Sequence, residues 1–221
     1  MPIADPAATV ILLRGSGQGF EVLLVERNSR GFFGSIVVFP GGGVEDSDVS
    51  PGSSTRDDDS HRNAAIRELA EETGIVLTSN GVRPAPIGKG VAFHDWAHRE
   101  GLALAADELV LVSRWVTPVE APRRFDTRFY LAACDDAPDV IIDSDELIGH
   151  MWLSPAAALE LYDAGEMNLI LPTLTHLRWL ARRSTIEEAY VSAQGADGRT
   201  LIRPQQMEDG SWLPVHMPAD D

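Results

Sequence analysis

Three glutamates, Glu68, Glu71 and Glu72, stand at spacing i, i+3 and i+4. On a helix at roughly 100° per residue, Glu71 lies about 60° to one side of Glu68 and Glu72 about 40° to the other. The three carboxylates therefore share one arc. Ile66, Leu69, Ala70 and Thr73 fall on the opposite face, suited to packing on a sheet, with Ala64 and Ala65 flanking the acidic arc. Like charges at this spacing repel, at a cost of about 0.2–0.5 kcal/mol per pair. A hard divalent cation reverses that cost, and Mg²⁺ or Mn²⁺ commonly takes oxygen ligands and substrate phosphates together. Upstream, Gly41, Gly42 and Gly43 let the backbone approach a ligand closely. On their own, the glutamates fit a solvated acidic helix face better than a metal site.

The elements that must position these residues are legible around them. Ala7 to Leu13 and Phe20 to Val25 are β-favouring runs around Gly15 and Gly17, which reads as a hairpin. Arg30 to Gly34 reads as a loop and Ile36 to Phe39 as a strand entering the glycines. Residues 46–58 are polar and rich in turn formers, which predicts a flexible solvated loop. Ser60 is the expected N-cap of a helix that Gly74 stops, and Ile75 to Leu77 restarts as a strand. His94 to Leu104 reads as helical, and Glu108 to Val116 and Phe125 to Cys134 as strands. A short strand His150 to Leu153 precedes a helix opened by Ser154-Pro155 and running to Tyr162; another helix spans Pro172 to Arg183. Residues 186–221 read as a helical turn with hairpin pieces.

The joint pattern is Phe39-Pro40-Gly41-Gly42, then Arg67-Glu68-Leu69-Ala70-Glu71-Glu72-Thr73-Gly74-Ile75. It resembles the Nudix box, Gly-x5-Glu-x7-Arg-Glu-U-x-Glu-Glu-x-Gly-U, where U is a bulky aliphatic residue. The second half matches from Arg67 to Ile75 without a miss. The family pattern leaves 13 positions between glycine and arginine, whereas 24 separate Gly42 from Arg67, an excess of 11. Counting eight back from Arg67 lands on Asp59, where the family has its first glutamate.

The resemblance implies an α/β fold, a Nudix-type α/β/α sandwich with a mixed sheet and a loop–helix catalytic element. It implies one domain over 1–221 with insertions at about 46–58 and 92–106, and an extension at 184–221. The implied reaction is metal-dependent hydrolysis of a diphosphate linked to another moiety. Glu68, Glu71 and Glu72, with the Gly42 carbonyl, would hold Mg²⁺ or Mn²⁺, and Arg67 would orient a box carboxylate. Gly41 would contribute to the binding loop. Glu68 and Glu146 are the two candidates for general base. The partner is a small-molecule diphosphate, and a homodimer is a common family assembly.

The region from Trp115 to Phe129 and the insert at 94–104 are similar to the branch of coenzyme A and acyl-CoA diphosphatases. Arg27, Ser29, Arg30 and Gly34 match that branch's upstream signature in part, with altered spacing to Phe39. Arg123, Arg124 and Arg128 form a basic island that would bind phosphates bidentately or pair with Asp126 and Glu120 on the surface. ADP-ribose- or NADH-type substrates and a non-catalytic nucleotide-binding domain are the alternatives. The isoprenoid diphosphate isomerase branch uses a cysteine, which a lone Cys134 in an apolar strand suits poorly.

The remaining composition narrows the partners. The 221 residues carry 18 Lys+Arg against 34 Asp+Glu, a net charge of −16. That argues against a nucleic-acid polymer or an anionic membrane as partner. Most of this acid, including Asp46, Asp48 and Asp57 to Asp59, is expected to be solvated. One cysteine excludes an internal disulfide framework, and Cys134 reads as a buried apolar residue. His94 and His98 sit at i, i+4 without the glutamate of a His-Glu-x-x-His site, so a surface or packed pair is expected. The five tryptophans read as core or rim. Met1-Pro2-Ile3-Ala4-Asp5 has neither the basic start nor the apolar stretch of a signal peptide, which points to the cytoplasm.

Overall fold

A computed structural model describes residues 3–17, 19–28, 34–86, 92–142, 146–205 and 217. The chain runs β1 (Asp5–Ser16), β2 (Gly19–Asn28), β3 (Ser35–Val38), β4 (Gly41–Gly43), α1 (Asp58–Thr73), β5 (Ile75–Thr78), β6 (Gly81–Pro84), α2 (Phe93–Arg99), β7 (Val110–Val116) and β8 (Phe125–Cys134). It continues with β9 (Leu147–Leu153), α3 (Pro155–Asp163), α4 (Leu171–Leu180), α5 (Ile186–Gly195) and β10 (Leu201–Ile202). The main sheet has the order β10-β7-β8-β1-β2-β3, with β4 paired to β1 and β9 to β2. It is mixed: β1–β8 and β10–β7 are parallel, whereas β1–β2 and β7–β8 are antiparallel. β5 and β6 form a separate hairpin.

Alternation along β1 builds the two layers above and below this sheet. Val10 and Leu12 face a core shared with Ala64, Ala65, Ile66, Leu69 and Ala70 of α1. Ile11 and Leu13 face the other core, with Leu177, Trp179 and Leu180 of α4 and Ala189 and Ala193 of α5. The expected α/β/α sandwich is the observed one. Ala64 and Ala65, which flank the acidic arc by their spacing, are fully buried in the core that α1 shares with the sheet.

Gly74 ends α1 at φ 69°, a left-handed position open to glycine, and its N–H caps the Ala70 carbonyl at 2.9 Å. The start of α1 differs from expectation. Asp57 is the N-cap position, and Ser60 lies inside the first turn, its hydroxyl donating to the Ser54 carbonyl at 2.8 Å. The predicted loop at 46–58 opens with a 3-10 turn at Asp46–Asp48, in which Asp48 is buried.

Other boundaries shift with tertiary pairing. β9 begins at Leu147 because it pairs along β2. α2 ends at Arg99, before Leu104 bridges to Thr78. The C-terminal region holds a ten-residue helix, α5, and a strand, β10, which pairs parallel with β7 rather than in a hairpin. The Arg30 to Gly34 loop falls almost wholly outside the described residues, as do 206–216.

Candidate active site

β4 pairs antiparallel with β1, Gly41 to Gly43 opposite Thr9 to Ala7, which brings the glycines alongside α1. A Cβ on Gly42 would lie 2.5 Å from the Glu68 carboxyl carbon, so any other residue here would displace that carboxylate. At Gly41 a Cβ would collide with the Ala8 carbonyl and the Thr9 hydroxyl. Gly42 thus makes room for the Glu68 carboxylate and Gly41 for the β1 backbone, whereas a Cβ on Gly43 would meet only an ordinary contact at 4.0 Å.

Arg67 organises the cluster. It is buried, and all five of its N–H groups are used. Nε and Nη2 donate to the two Asp48 oxygens at 3.0 Å each, and Nη2 also donates to the Gly43 carbonyl at 2.8 Å. Nη1 donates to Glu68 Oε1 and to Glu71 Oε2, both at 2.9 Å. Opposed by its burial, the guanidinium is nonetheless held above its usual pKa by hydrogen bonds and charge from Asp48, Glu68 and Glu71. Burial likewise works against the charge of Asp48, but hydrogen bonds from His94 and Arg67 prevail and hold its carboxyl below the ordinary range. His94 Nε2 lies 2.8 Å from Asp48 Oδ1.

Asp48 corrects two expectations. It is not solvated, and it rather than Asp59 stands in the place of the box's first acid. Five residues separate it from Gly42, as the pattern requires, so the additional residues lie between Asp48 and Arg67. Asp59 is exposed in the first turn of α1. Counting forward from Gly42 would have found Asp48; counting back from Arg67 crossed the insertion. His94, read as a surface or packed residue, instead braces Asp48.

Glu72 also departs from the expected exposed helix face. It is 8% exposed; Oε2 accepts from the Gly41 N–H at 2.9 Å and Oε1 from Arg27 Nη2. Arg27 Nη2 further donates to the Gly41 carbonyl at 3.0 Å, while its Nε is buried with no partner among the described residues. The β2–β9 register shifts between Glu26 and Arg27, and the Arg27 side chain reaches Glu72.

Burial pushes Glu68 up to about 7, with Arg67 opposing and Glu72 adding repulsion. Burial also raises Glu71, against Arg67, and raises Glu72, against Arg27. Two guanidiniums therefore leave the three glutamates with uncompensated charge. The donors are hard carboxylate and carbonyl oxygens, which fit Mg²⁺ or Mn²⁺. The expectation that all three are aimed at one spot is modified: Arg67 gathers Glu68 and Glu71, while Arg27 turns Glu72. Among the described residues no three acidic or histidine side chains stand preset as a metal group.

The remaining candidates separate cleanly. Glu146 is near enough for its charge to oppose ionisation of Glu72, and its carbonyl accepts from the Asn28 N–H at 3.1 Å. The basic island is dispersed. Arg128 binds Asp58 at 2.8 Å and the Arg56 carbonyl at 2.9 Å, beside the N-terminal turn of α1. Arg124 Nε donates to the Thr117 carbonyl at 3.1 Å, and exposed Arg123 lies 4.0 Å from Asp5. Asp126 pairs with Arg114 instead of these arginines. Arg123 and Arg124 precede β8, whereas Arg128 lies within it. Cys134 is buried, and burial pushes its thiol up to about 11.

Beside the cluster lies a cleft of about 540 Å³ that shares Arg27 and Gly41 with it. Its other walls are mainly carbon, including Val38, Phe39, Trp115, Phe129, Leu169 and Leu171.

Comparison with known proteins gives this arrangement a family. The chain is 31% identical to putative nudix hydrolase 7 of Caenorhabditis elegans over 80% of its own length, and spans 60% of that relative. It is 27% identical to the acyl-coenzyme A diphosphatase of Gallus gallus, covering 91% of this chain and 70% of the relative. The crystal structure of a NUDIX hydrolase from Alicyclobacillus acidocaldarius superposes with a TM-score of 0.75 at 29% identity, covering 86% of this chain and 97% of that one. A profile of the NUDIX domain matches residues 4–174, and with the glycine-cradled glutamates and Arg67 in place the chain belongs to the NUDIX domain family.

Proposed function

We propose that the protein is a Mg²⁺- or Mn²⁺-dependent pyrophosphohydrolase that cleaves the diphosphate of a small nucleotide-like substrate, with coenzyme A or an acyl-CoA as the leading class. The observation that carries this reading is the full engagement of Arg67, which ties Glu68, Glu71 and Asp48 to the Gly43 carbonyl in one buried unit. Such preorganisation suits a site that must receive an anion without rearranging. The likeness to an acyl-coenzyme A diphosphatase supports the substrate class.

Glu68, Glu71 and Glu72, with the Gly42 carbonyl, would hold the cation. When bound, the metal polarises the phosphoryl oxygens and lowers the pKa of water. The chain's own residues do the rest. Arg67 fixes the orientation of Glu68 and Glu71. Asp48, braced by His94, keeps Arg67 in register. Glu68 and Glu146 are the two candidates to take a proton from water. Arg27 lies between the cluster and the cleft and gives a diphosphate entering from the cleft its first positive charge.

The test is a hydrolysis panel of coenzyme A, acyl-CoAs, ADP-ribose, NADH, dinucleoside polyphosphates and nucleoside triphosphates, with Mg²⁺ or Mn²⁺, read by mass spectrometry of the products. Cleavage of coenzyme A compounds between the two phosphates is expected. Preferential cleavage of another class would replace the substrate, and no metal-dependent cleavage at all would remove the enzyme reading.

A further inference from the structure

The two arginines that touch the glutamates are committed to very different degrees. Arg67 is buried, and its N–H groups are all engaged by Asp48, Glu68, Glu71 and the Gly43 carbonyl. Arg27 bonds through a single nitrogen: among the described residues, Nη2 donates to Glu72 Oε1 and to the Gly41 carbonyl. Its Nε is buried with no partner among the described residues. A buried N–H without an acceptor leaves its desolvation uncompensated. The Glu72 charge, and not a full set of acceptors, therefore holds the guanidinium where it is.

Glu72 does not depend on Arg27 alone for its orientation. Oε2 accepts from the Gly41 N–H at 2.9 Å, on backbone fixed by the pairing of β4 with β1. Oε1 is the oxygen that Arg27 takes. A divalent cation held by Glu72 must share that carboxylate with a guanidinium, and two cations on one carboxylate repel each other. The same guanidinium is partly exposed and borders the cleft, where it is the one ionisable lining side chain among the described residues. An anion arriving through the cleft meets no other cation on its walls.

We propose that Arg27 is an exchangeable counter-cation: it competes with the divalent cation for Glu72, and once that carboxylate is neutralised by the cation, the guanidinium turns to the diphosphate of the substrate. Arg27 thereby couples the two ligands. Each favours the placement of Arg27 that suits the other, and the coupling is reciprocal. Arg67 cannot act in this way, because its donors are all engaged. The proposal rests on the function proposed above, in which Glu72 is one of the residues that hold the cation.

The experiment measures Mn²⁺ binding directly, from the electron paramagnetic resonance of the free ion at pH 8. It compares wild type, Arg27→Gln, Arg27→Lys, Glu72→Gln and the Arg27→Gln/Glu72→Gln double variant, alongside KM for coenzyme A at saturating Mn²⁺. Arg27→Gln is expected to bind Mn²⁺ about tenfold more tightly while its KM rises about tenfold. Arg27→Lys keeps the charge and is expected to stay within about threefold of wild type in both constants. A role confined to propping Glu72 would weaken Mn²⁺ binding when Arg27 is lost, so opposite movement of the two constants identifies the exchange. In the Glu72→Gln background, Arg27→Gln should tighten Mn²⁺ by less than about twofold, because the carboxylate they compete for is gone. A full gain there would overturn the proposal. So would an unchanged or weaker Mn²⁺ affinity in Arg27→Gln, or a tighter one with KM unchanged. If no diphosphate is cleaved by the wild type, the diphosphatase reading fails, and the Mn²⁺ titrations by themselves support or overturn the competition at Glu72.

Discussion

Asp48 and Arg67 meet through two parallel hydrogen bonds of 3.0 Å although 19 positions apart in the chain. The pair is buried, and it pins the start of the insertion to the middle of α1. Arg67 stands with no second carboxylate able to replace Asp48 at Nε. Asp48→Ala is therefore expected to destabilise the fold by about 1–3 kcal/mol, because two N–H groups of the buried guanidinium lose their acceptor while Glu68 and Glu71 still oppose its charge. Urea unfolding at pH 7 measures this. A change under 1 kcal/mol would mean the pair is dispensable.

A bound cation adds stability by mass action. At 100 times its dissociation constant, Mn²⁺ is expected to add about 2.7 kcal/mol and to raise Tm correspondingly. Differential scanning fluorimetry with and without EDTA reads the shift. Glu72→Gln should abolish most of it. Since Glu72 is buried between Gly41 and Arg27, this variant should also lower the metal-free Tm, a cost that an exposed glutamate would not carry.

Acid sensitivity should trace to His176. Full burial pushes its folded pKa down to about 4, against about 6.5 in the unfolded chain. Between those values the unfolded chain binds more protons, so stability is fully present above about pH 6.5 and is lost as pH falls toward 4. The full difference is on the order of 3 kcal/mol. Unfolding free energies at several pH values in wild type and His176→Asn check this. The variant should lose the part of the slope contributed by residue 176.

How much of this was legible in the sequence depends on whether neighbours in the chain decide the outcome. The helix α1 was, since Gly74 and the periodicity of Ile66, Leu69, Ala70 and Thr73 are local signals. The β1–β2 hairpin was legible for the same reason. Asp48 was not, because the turn-forming composition of 46–58 describes the segment's average and says nothing of one acid folded back onto Arg67. The Arg27–Glu72 pair joins residues 45 positions apart, and only the sheet register brings them together. Arg123, Arg124 and Arg128 looked like one basic island because they are close in sequence; only Arg128 lies in β8, and each finds its own partner, Asp5, the Thr117 carbonyl and Asp58 respectively.

Arg27 tests the link between cleft and cluster. Arg27→Gln removes the positive charge beside Glu72 and from the inner end of the cleft. It is expected to raise KM for a diphosphate substrate by about tenfold or more, a loss on the order of 1.4 kcal/mol. Steady-state kinetics at two ionic strengths check this, and an unchanged KM would show that Arg27 serves Glu72 alone.

The most direct measurement compares wild type with Glu68→Gln for Mn²⁺-dependent hydrolysis of coenzyme A and octanoyl-CoA at saturating metal. The wild type should cleave the diphosphate only when metal is present, and Glu68→Gln should lose about a hundredfold or more in kcat while keeping a cooperative unfolding transition. Wild-type turnover by Glu68→Gln, or turnover by the wild type in excess EDTA, would contradict the assignment of the chemistry to this glutamate cluster.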